Sequence, residues 1–322
     1  MKKNLLISAI AALLLGAGAS PASAQFSVFP RDTIIVAQDG SGDFKTIGAA
    51  MDCVRGYRPE PSVMIVKKGV YNEKIIVFSW IQDLKIVGEG PDQTKIVWGD
   101  YNGLNQMGTF KTYTMLVQGT HITLENLTVE NSAGPRGQAV ALHIDGDRCT
   151  VRNCRLLGNQ DTLLTGLGGT RNYFVDCYIE GTTDYIFGPS TAWFENCTLH
   201  CKRDSFITAA ATPQDQKYGY VFNNCKVTVG EGVTRMCLGR PWRSYAAVLF
   251  MHCELPEAIL PIGWNNWGNK ANELTARYAE YKNVGPGANT SERPAWIKTL
   301  TDAEAAQATL ANVLGDWDPT RE

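Results

Sequence analysis

Short runs in which apolar and polar residues alternate recur along the middle of the chain, each broken by a polar residue followed by a compact apolar one. Asn126-Leu127, Asn153-Cys154, Asp176-Cys177, Asn196-Cys197, Asn224-Cys225 and His252-Cys253 mark this phase, with steps of 27, 23, 20, 28 and 28 residues between the second members. The segments around them, such as Cys149-Thr-Val-Arg-Asn-Cys-Arg-Leu-Leu157 and Tyr173-Phe-Val-Asp-Cys-Tyr-Ile179, are rich in β-branched and aromatic residues and read as strands. A repeat of 20 to 28 residues leaves no room for a helix in every connection. Leucine-rich and βαβ arrangements are thereby disfavoured, and the pattern predicts an all-β solenoid, a parallel β-helix. Equivalent residues of successive coils then stack ~4.8 Å apart. Cys154, Cys177, Cys197, Cys225 and Cys253 are expected to form one inward column of free thiols rather than disulfides, because a free thiol packs as a small hydrophobe and stacked strands would have to pucker to bridge.

The two ends break the pattern. After the turn Asp39-Gly-Ser-Gly-Asp43, the apolar positions Phe44, Ile47, Ala50, Met51 and Val54 predict a short helix that covers the open N-terminal end of the solenoid. Residues 302–314 predict a second helix opening at Thr301, packed on the outside or across the last coil.

Composition adds a destination and removes several partners. Lys2 and Lys3 precede an apolar run from Leu5 to Leu15 and the small residues Ala22-Ser23-Ala24, so residues 1–24 read as an export signal cleaved before Gln25, with residues 25–322 as a single domain. The run is too short for a membrane span, which needs about 20 apolar residues. The mature chain is therefore expected to be exported, to the periplasm or beyond, without membrane insertion. The formal charge of −2 becomes −4 once the two signal lysines are lost, which gives no nucleic-acid footprint. Nine cysteines without a CxxC pair, and only four histidines, predict no metal site and no cofactor.

Against the cysteine phase, Asp161 lies seven residues beyond Cys154 and Asp184 seven beyond Cys177. Both carboxylates should occupy the same place on neighbouring coils, ~5 Å apart along the stack. They cannot both ionise freely, so one is expected to hold a raised pKa and serve as an acid while the other stays charged. The same offset from Cys197 reaches Asp204, a possible third member. Amide donors and aromatics crowd the pair in Gly158-Asn-Gln-Asp-Thr-Leu163 and Thr183-Asp-Tyr-Ile-Phe-Gly188, and Leu238-Gly-Arg-Pro-Trp242 adds a guanidinium and an indole.

At these residues the chain resembles the pectin methylesterases, carbohydrate esterases with a right-handed parallel β-helix, and among them an exported bacterial type. Gly69-Val-Tyr-Asn-Glu73, Gln138-Ala-Val-Ala-Leu142, Gln160-Asp-Thr-Leu163, Asp184-Tyr-Ile-Phe-Gly188 and Leu238-Gly-Arg-Pro-Trp242 carry the resemblance in the family's order. It implies hydrolysis of methyl esters in homogalacturonan by a monomer. Asp184 would be the nucleophile, Asp161 the acid and base, Arg240 the partner of Asp184, and Gln160 and Gln138 the oxyanion donors. Trp242 and Phe187 would line the substrate site, with Thr114 and Trp267 as neighbours, and Gly69 to Glu73 would be structural. Leu164 replaces an aromatic usual in the family, at an expected subsite. Tyr185 replaces a phenylalanine and should point away from Asp184 by strand alternation. Two other classes fit parts of the pattern. A pectin-backbone glycosidase also uses carboxylates about 5 to 5.5 Å apart, and a non-catalytic polysaccharide-binding solenoid would need no catalytic pair.

Overall fold

The computed structural model describes residues 32–58 and 60–321; the segment read as an export signal lies outside the described residues. Its strands form three parallel sheets of eleven, seven and seven strands. One coil shows how the sheets are used: Cys149–Arg152 lies in the eleven-stranded sheet, Arg155–Leu157 in one shorter sheet and Leu163–Thr165 in the other, before the chain returns to the first at Arg171–Val175. Successive coils pair in parallel, as in Val151 on Phe174 and Phe174 on Phe194.

The recurring polar-apolar pairs are the corners between the eleven-stranded sheet and the next. Asn153-Cys154, for instance, fills the gap between Arg152 and Arg155. A two-residue corner of this sharpness needs a left-handed residue, and Asn126, Asn153, Asp176, Asn196, Asn224 and His252 all have φ between +46° and +57°. Asn, Asp and His tolerate that region better than other side chains. The residue that follows points inward. Cys154, Cys177, Cys197, Cys225 and Cys253 are buried free thiols, and burial pushes the first four well above the ordinary thiol pKa. Beside them Phe174, Phe194, Phe222 and Phe250 stack ring on ring, with centroids 4.4 to 4.6 Å apart.

The N-terminal helix spans Ile47–Met51 and is capped by Thr46. Glu73 accepts hydrogen bonds from Ile47 N (3.0 Å) and Gly48 N (2.8 Å), so its carboxylate meets two free amides of the first turn, the structural role expected of that segment. The C-terminal region differs from the single helix expected. Thr301 forms a capping box with Glu304 and opens Asp302–Ala305, and Thr309 then caps a separate helix, Leu310–Leu314. The break follows from Thr309, whose side chain accepts from Asn312 N and starts the helix anew. Ala305, Val313, Leu314 and Trp317 pack against Tyr173, Trp193, Val221 and Leu249, so this segment lies along the outer face of the long sheet.

The aromatic column makes a quantitative expectation. Replacing Phe222, stacked on both faces at 4.4 Å, by Ala should destabilise the fold by about 3–5 kcal/mol. A lowered urea midpoint with an unchanged slope is the expected result.

Candidate active site

Asp161 and Asp184 each lie two positions before a strand of the same seven-stranded sheet, ahead of Leu163–Thr165 and Ile186–Gly188. Leu163 pairs with Ile186, and Asp161 N donates to Thr183 O at 3.1 Å, so the acids stand on adjacent rungs as the offset from the cysteines implied. Both are left-handed, at φ +67° and +49°. Each conformation costs about 1–2 kcal/mol in an L-residue, least for Asp and Asn, and turns both carboxylates out of the sheet. Gly188 at φ +127° closes the second segment where any side chain would meet the Thr165 carbonyl.

The acids open into a cleft of about 710 Å³ lined by Gln138, Gln160, Asp161, Asp184, Phe187, Arg240, Trp242 and Trp267, with residues 105–111 as its far wall. Arg240 Nε and Nη2 donate to the two Asp184 oxygens at 2.9 and 2.6 Å, a bidentate pair. Its guanidinium carbon lies 4.1 Å from the Phe206 ring centroid and 3.8 Å from that of Trp267, so the cation is held between two aromatic faces. Trp242 meets Phe187 edge-on at 5.9 Å and Phe110 at 6.3 Å.

The electrostatics separate the acids. Burial pushes Asp161 up to about 8, the charge of Asp184 adds to the rise, and Arg240 only partly opposes it. Asp184 is also raised by burial, but the direct hydrogen bonds and charge of Arg240 pull it back. The proton of the pair therefore resides on Asp161 and the negative charge on Asp184. Gln138 and Gln160 form a parallel bridge on neighbouring coils beside these acids.

Eight of the nine residues expected at the site meet in this cleft, and Thr114 does not. It is fully buried and donates to Glu130 O at 2.8 Å; it shares the strand parity of Thr162, whose hydroxyl likewise donates to Glu180 O at 2.8 Å, so both tie corners inside the coil. Asp204 is no third acid. The coil after Cys197 is longer, so that Asp184 N donates to Phe206 O, and Asp204 instead accepts from Thr234 N (2.8 Å) and Arg235 N (2.9 Å), which hold its carboxyl below the usual range. Tyr185 turns into the core with its hydroxyl 3.4 Å from Cys201 Sγ, as alternation predicted. Leu164 is buried among Val140, Phe187 and Ala209 and lines a second groove of about 500 Å³ that shares Phe110 and Trp242 with the cleft. Sequence reasoning missed Phe206, Phe110 and the loop at 105–111, which lie outside the repeating phase; the aromatic that opens the strand Phe206–Ala210 was the only signal for the first.

A profile of the Pectinesterase family matches residues 33–316. Over 281 residues the chain is 38% identical to Pectinesterase 31 of Arabidopsis thaliana, covering 84% of this chain and 88% of that relative. Its fold matches the pectin methylesterase from carrot with a TM-score of 0.83 at 30% identity, over 87% of this chain and 92% of that one. A pectin methylesterase solved in complex with a hexasaccharide matches with a TM-score of 0.78 at 30% identity, over 89% of this chain and 98% of that one.

A linkage follows from the position of Asp161. Its folded pKa of about 8 lies above the unfolded value, so between pH 4 and 8 the folded state binds the extra proton and stability falls as pH rises. Asp161→Asn removes the titration. Relative to the parent, the variant should gain on the order of a few kcal/mol between pH 4.5 and pH 8.5, read as the difference in urea unfolding free energy at the two values; an equal difference at both would contradict the assignment.

Proposed function

The chain belongs to the pectinesterase family, carboxylic ester hydrolases on a parallel β-helix that remove methyl groups from pectin, and we propose that Asp184 is its nucleophile and Asp161 its acid and base. The observation that carries this reading is the asymmetry of the pair: one buried carboxyl raised to about 8 beside a second gripped by a bidentate guanidinium.

In the first half-reaction an Asp184 oxygen attacks the ester carbonyl carbon. The tetrahedral oxyanion lies toward the amides of Gln138 and Gln160, and collapse breaks the bond to the methoxy oxygen, which leaves as methanol with the proton of Asp161. Asp161, now a carboxylate, takes a proton from water as that water attacks the acyl-Asp184 carbonyl. The galacturonic acid is released, Asp184 returns to its charged form and Asp161 to its protonated one. Arg240 holds Asp184 in the geometry for attack, and Trp242 with Phe187 bounds the sugar site. A glycosidase would use the carboxylate spacing but has no need for two side-chain amides beside the acids. A binding solenoid would have no use for the proton held by Asp161. Methyl-esterified homogalacturonan is thus the substrate, and the hexasaccharide held by a similar enzyme supports an extended chain in the cleft. The first 24 residues direct export and are removed, and the remainder acts as a single-domain monomer outside the cytoplasm. Among the described residues no helix is long and apolar enough to cross a membrane.

Purified enzyme on methylated pectin should release methanol without new reducing ends; new reducing ends without methanol would identify a glycosidase. Asp184→Ala should lower kcat by about 10³-fold or more with the unfolding transition retained, and full activity in this variant would exclude Asp184 as nucleophile. On the wild type, kcat/KM should rise as Asp184 ionises and fall above about pH 8 as Asp161 loses its proton. A profile that stays flat from pH 7 to 9.5 would remove Asp161 from the acid role.

A further inference from the structure

Gln138 is gripped at two points by one residue of the segment that leads into the cleft wall at 105–111. Asn102 N donates to Gln138 O at 2.9 Å, and Asn102 Nδ2 donates to Gln138 Oε1 at 2.6 Å. A primary amide has one acceptor oxygen and one donor nitrogen, and either can face a given direction. Engaging the oxygen with Asn102 leaves Nε2, with both its hydrogens, as the end available to the cleft. Without that partner the amide is free to turn, and a turned amide presents a carbonyl oxygen to a developing oxyanion, which repels it.

The segment carrying Asn102 is itself anchored. Two residues earlier, Asp100 accepts from Lys74 Nζ at 2.5 Å and gives its carbonyl to Asn131 Nδ2 at 2.9 Å. Asn131 is buried and also donates to Thr112 O and Val140 O, both at 3.0 Å, which ties both ends of the 100–112 loop to the strand entry that follows Gln138. Lys74 donates as well to Lys111 O at 2.6 Å. The backbone on either side of Asn102 is thereby tied to the same coil as Gln138, which keeps the two amides side by side.

We propose that Asn102 is a positioning residue that sets the direction of the Gln138 amide and so makes Gln138 a donor to the oxyanion. The proposal rests on the role given to Gln138 above. It predicts an order of effects that a packing role does not. Asp at position 102 can only accept at neutral pH, so it draws Gln138 Nε2 toward itself and turns Oε1 to the cleft, whereas Ala merely releases the amide.

The test measures kcat and KM for methanol release from methylated pectin with Asn102→Asp, Asn102→Ala, Gln138→Ala and the double variants. Loss of one oxyanion donor reduces kcat by about 10²- to 10³-fold, which is expected for Gln138→Ala. Asn102→Asp should approach that loss, Asn102→Ala should lose no more than about tenfold, and KM should change little in either. In the Gln138→Ala background both substitutions at 102 should become nearly silent. A larger loss for Ala than for Asp would overturn the proposal. So would an Asp effect that persists without Gln138, since a new charge near Asp161 acts regardless of the amide. Wild-type kcat in Gln138→Ala would instead remove the oxyanion role of Gln138 itself, and the positioning role with it; an impaired Gln138→Ala beside a fully active Asn102→Asp overturns the positioning role alone.

Discussion

Parallel pairing of one coil on the next fixes everything else in this molecule. A strand that hydrogen-bonds to its counterpart in the neighbouring coil places equivalent side chains in line, one rung apart. Inside the solenoid this alignment yields columns of like residues, cysteine on cysteine and phenylalanine on phenylalanine. Outside it yields a column of acids. The same geometry that makes a thiol column stable, because buried neutral groups pack without charge, makes a carboxylate column unstable unless one member keeps its proton or finds a cation. The catalytic chemistry grows out of that conflict.

The conflict is resolved by unequal neighbours. Asp184 receives a guanidinium that comes from two coils further on, passes the Phe206 ring and is covered on its other face by Trp267. The aromatic faces remove water from the cation without offering it a competing anion, which leaves its fork to Asp184. Asp161 has the burial without the fork, and holds its proton instead. The stacking that brings the acids together thus also supplies, through an arginine long enough to reach past one coil, the means to tell them apart.

Much of this was legible in the sequence because the fold is periodic. The polar-apolar pairs gave the coil boundaries, since only residues tolerant of a left-handed backbone fit those corners, and counting from them placed Asp161 and Asp184 on adjacent rungs. Where the period changes, counting fails. Asp204 sits at the right distance from Cys197 but in a longer corner, and its carboxylate braces a turn. Thr114, expected beside the substrate, is instead turned into the coil, where its hydroxyl donates to Glu130 O. The loop at 105–111 and Asn102 carry no periodic signal at all, because their positions are set by hydrogen bonds to Lys74 and Asn131 far away along the chain.

Gln138, Asp161, Asp184, Phe206, Arg240 and Trp267 belong to six successive turns of the solenoid. Solenoids ordinarily change length by gaining or losing a repeat, each new coil being welcome wherever it can stack. Here a coil inserted anywhere between Gln138 and Trp267 would lift one half of the constellation a rung away from the other, and a deletion would collapse it. This stretch is therefore inherited as a block, and the fold is free to lengthen or shorten only toward its two ends.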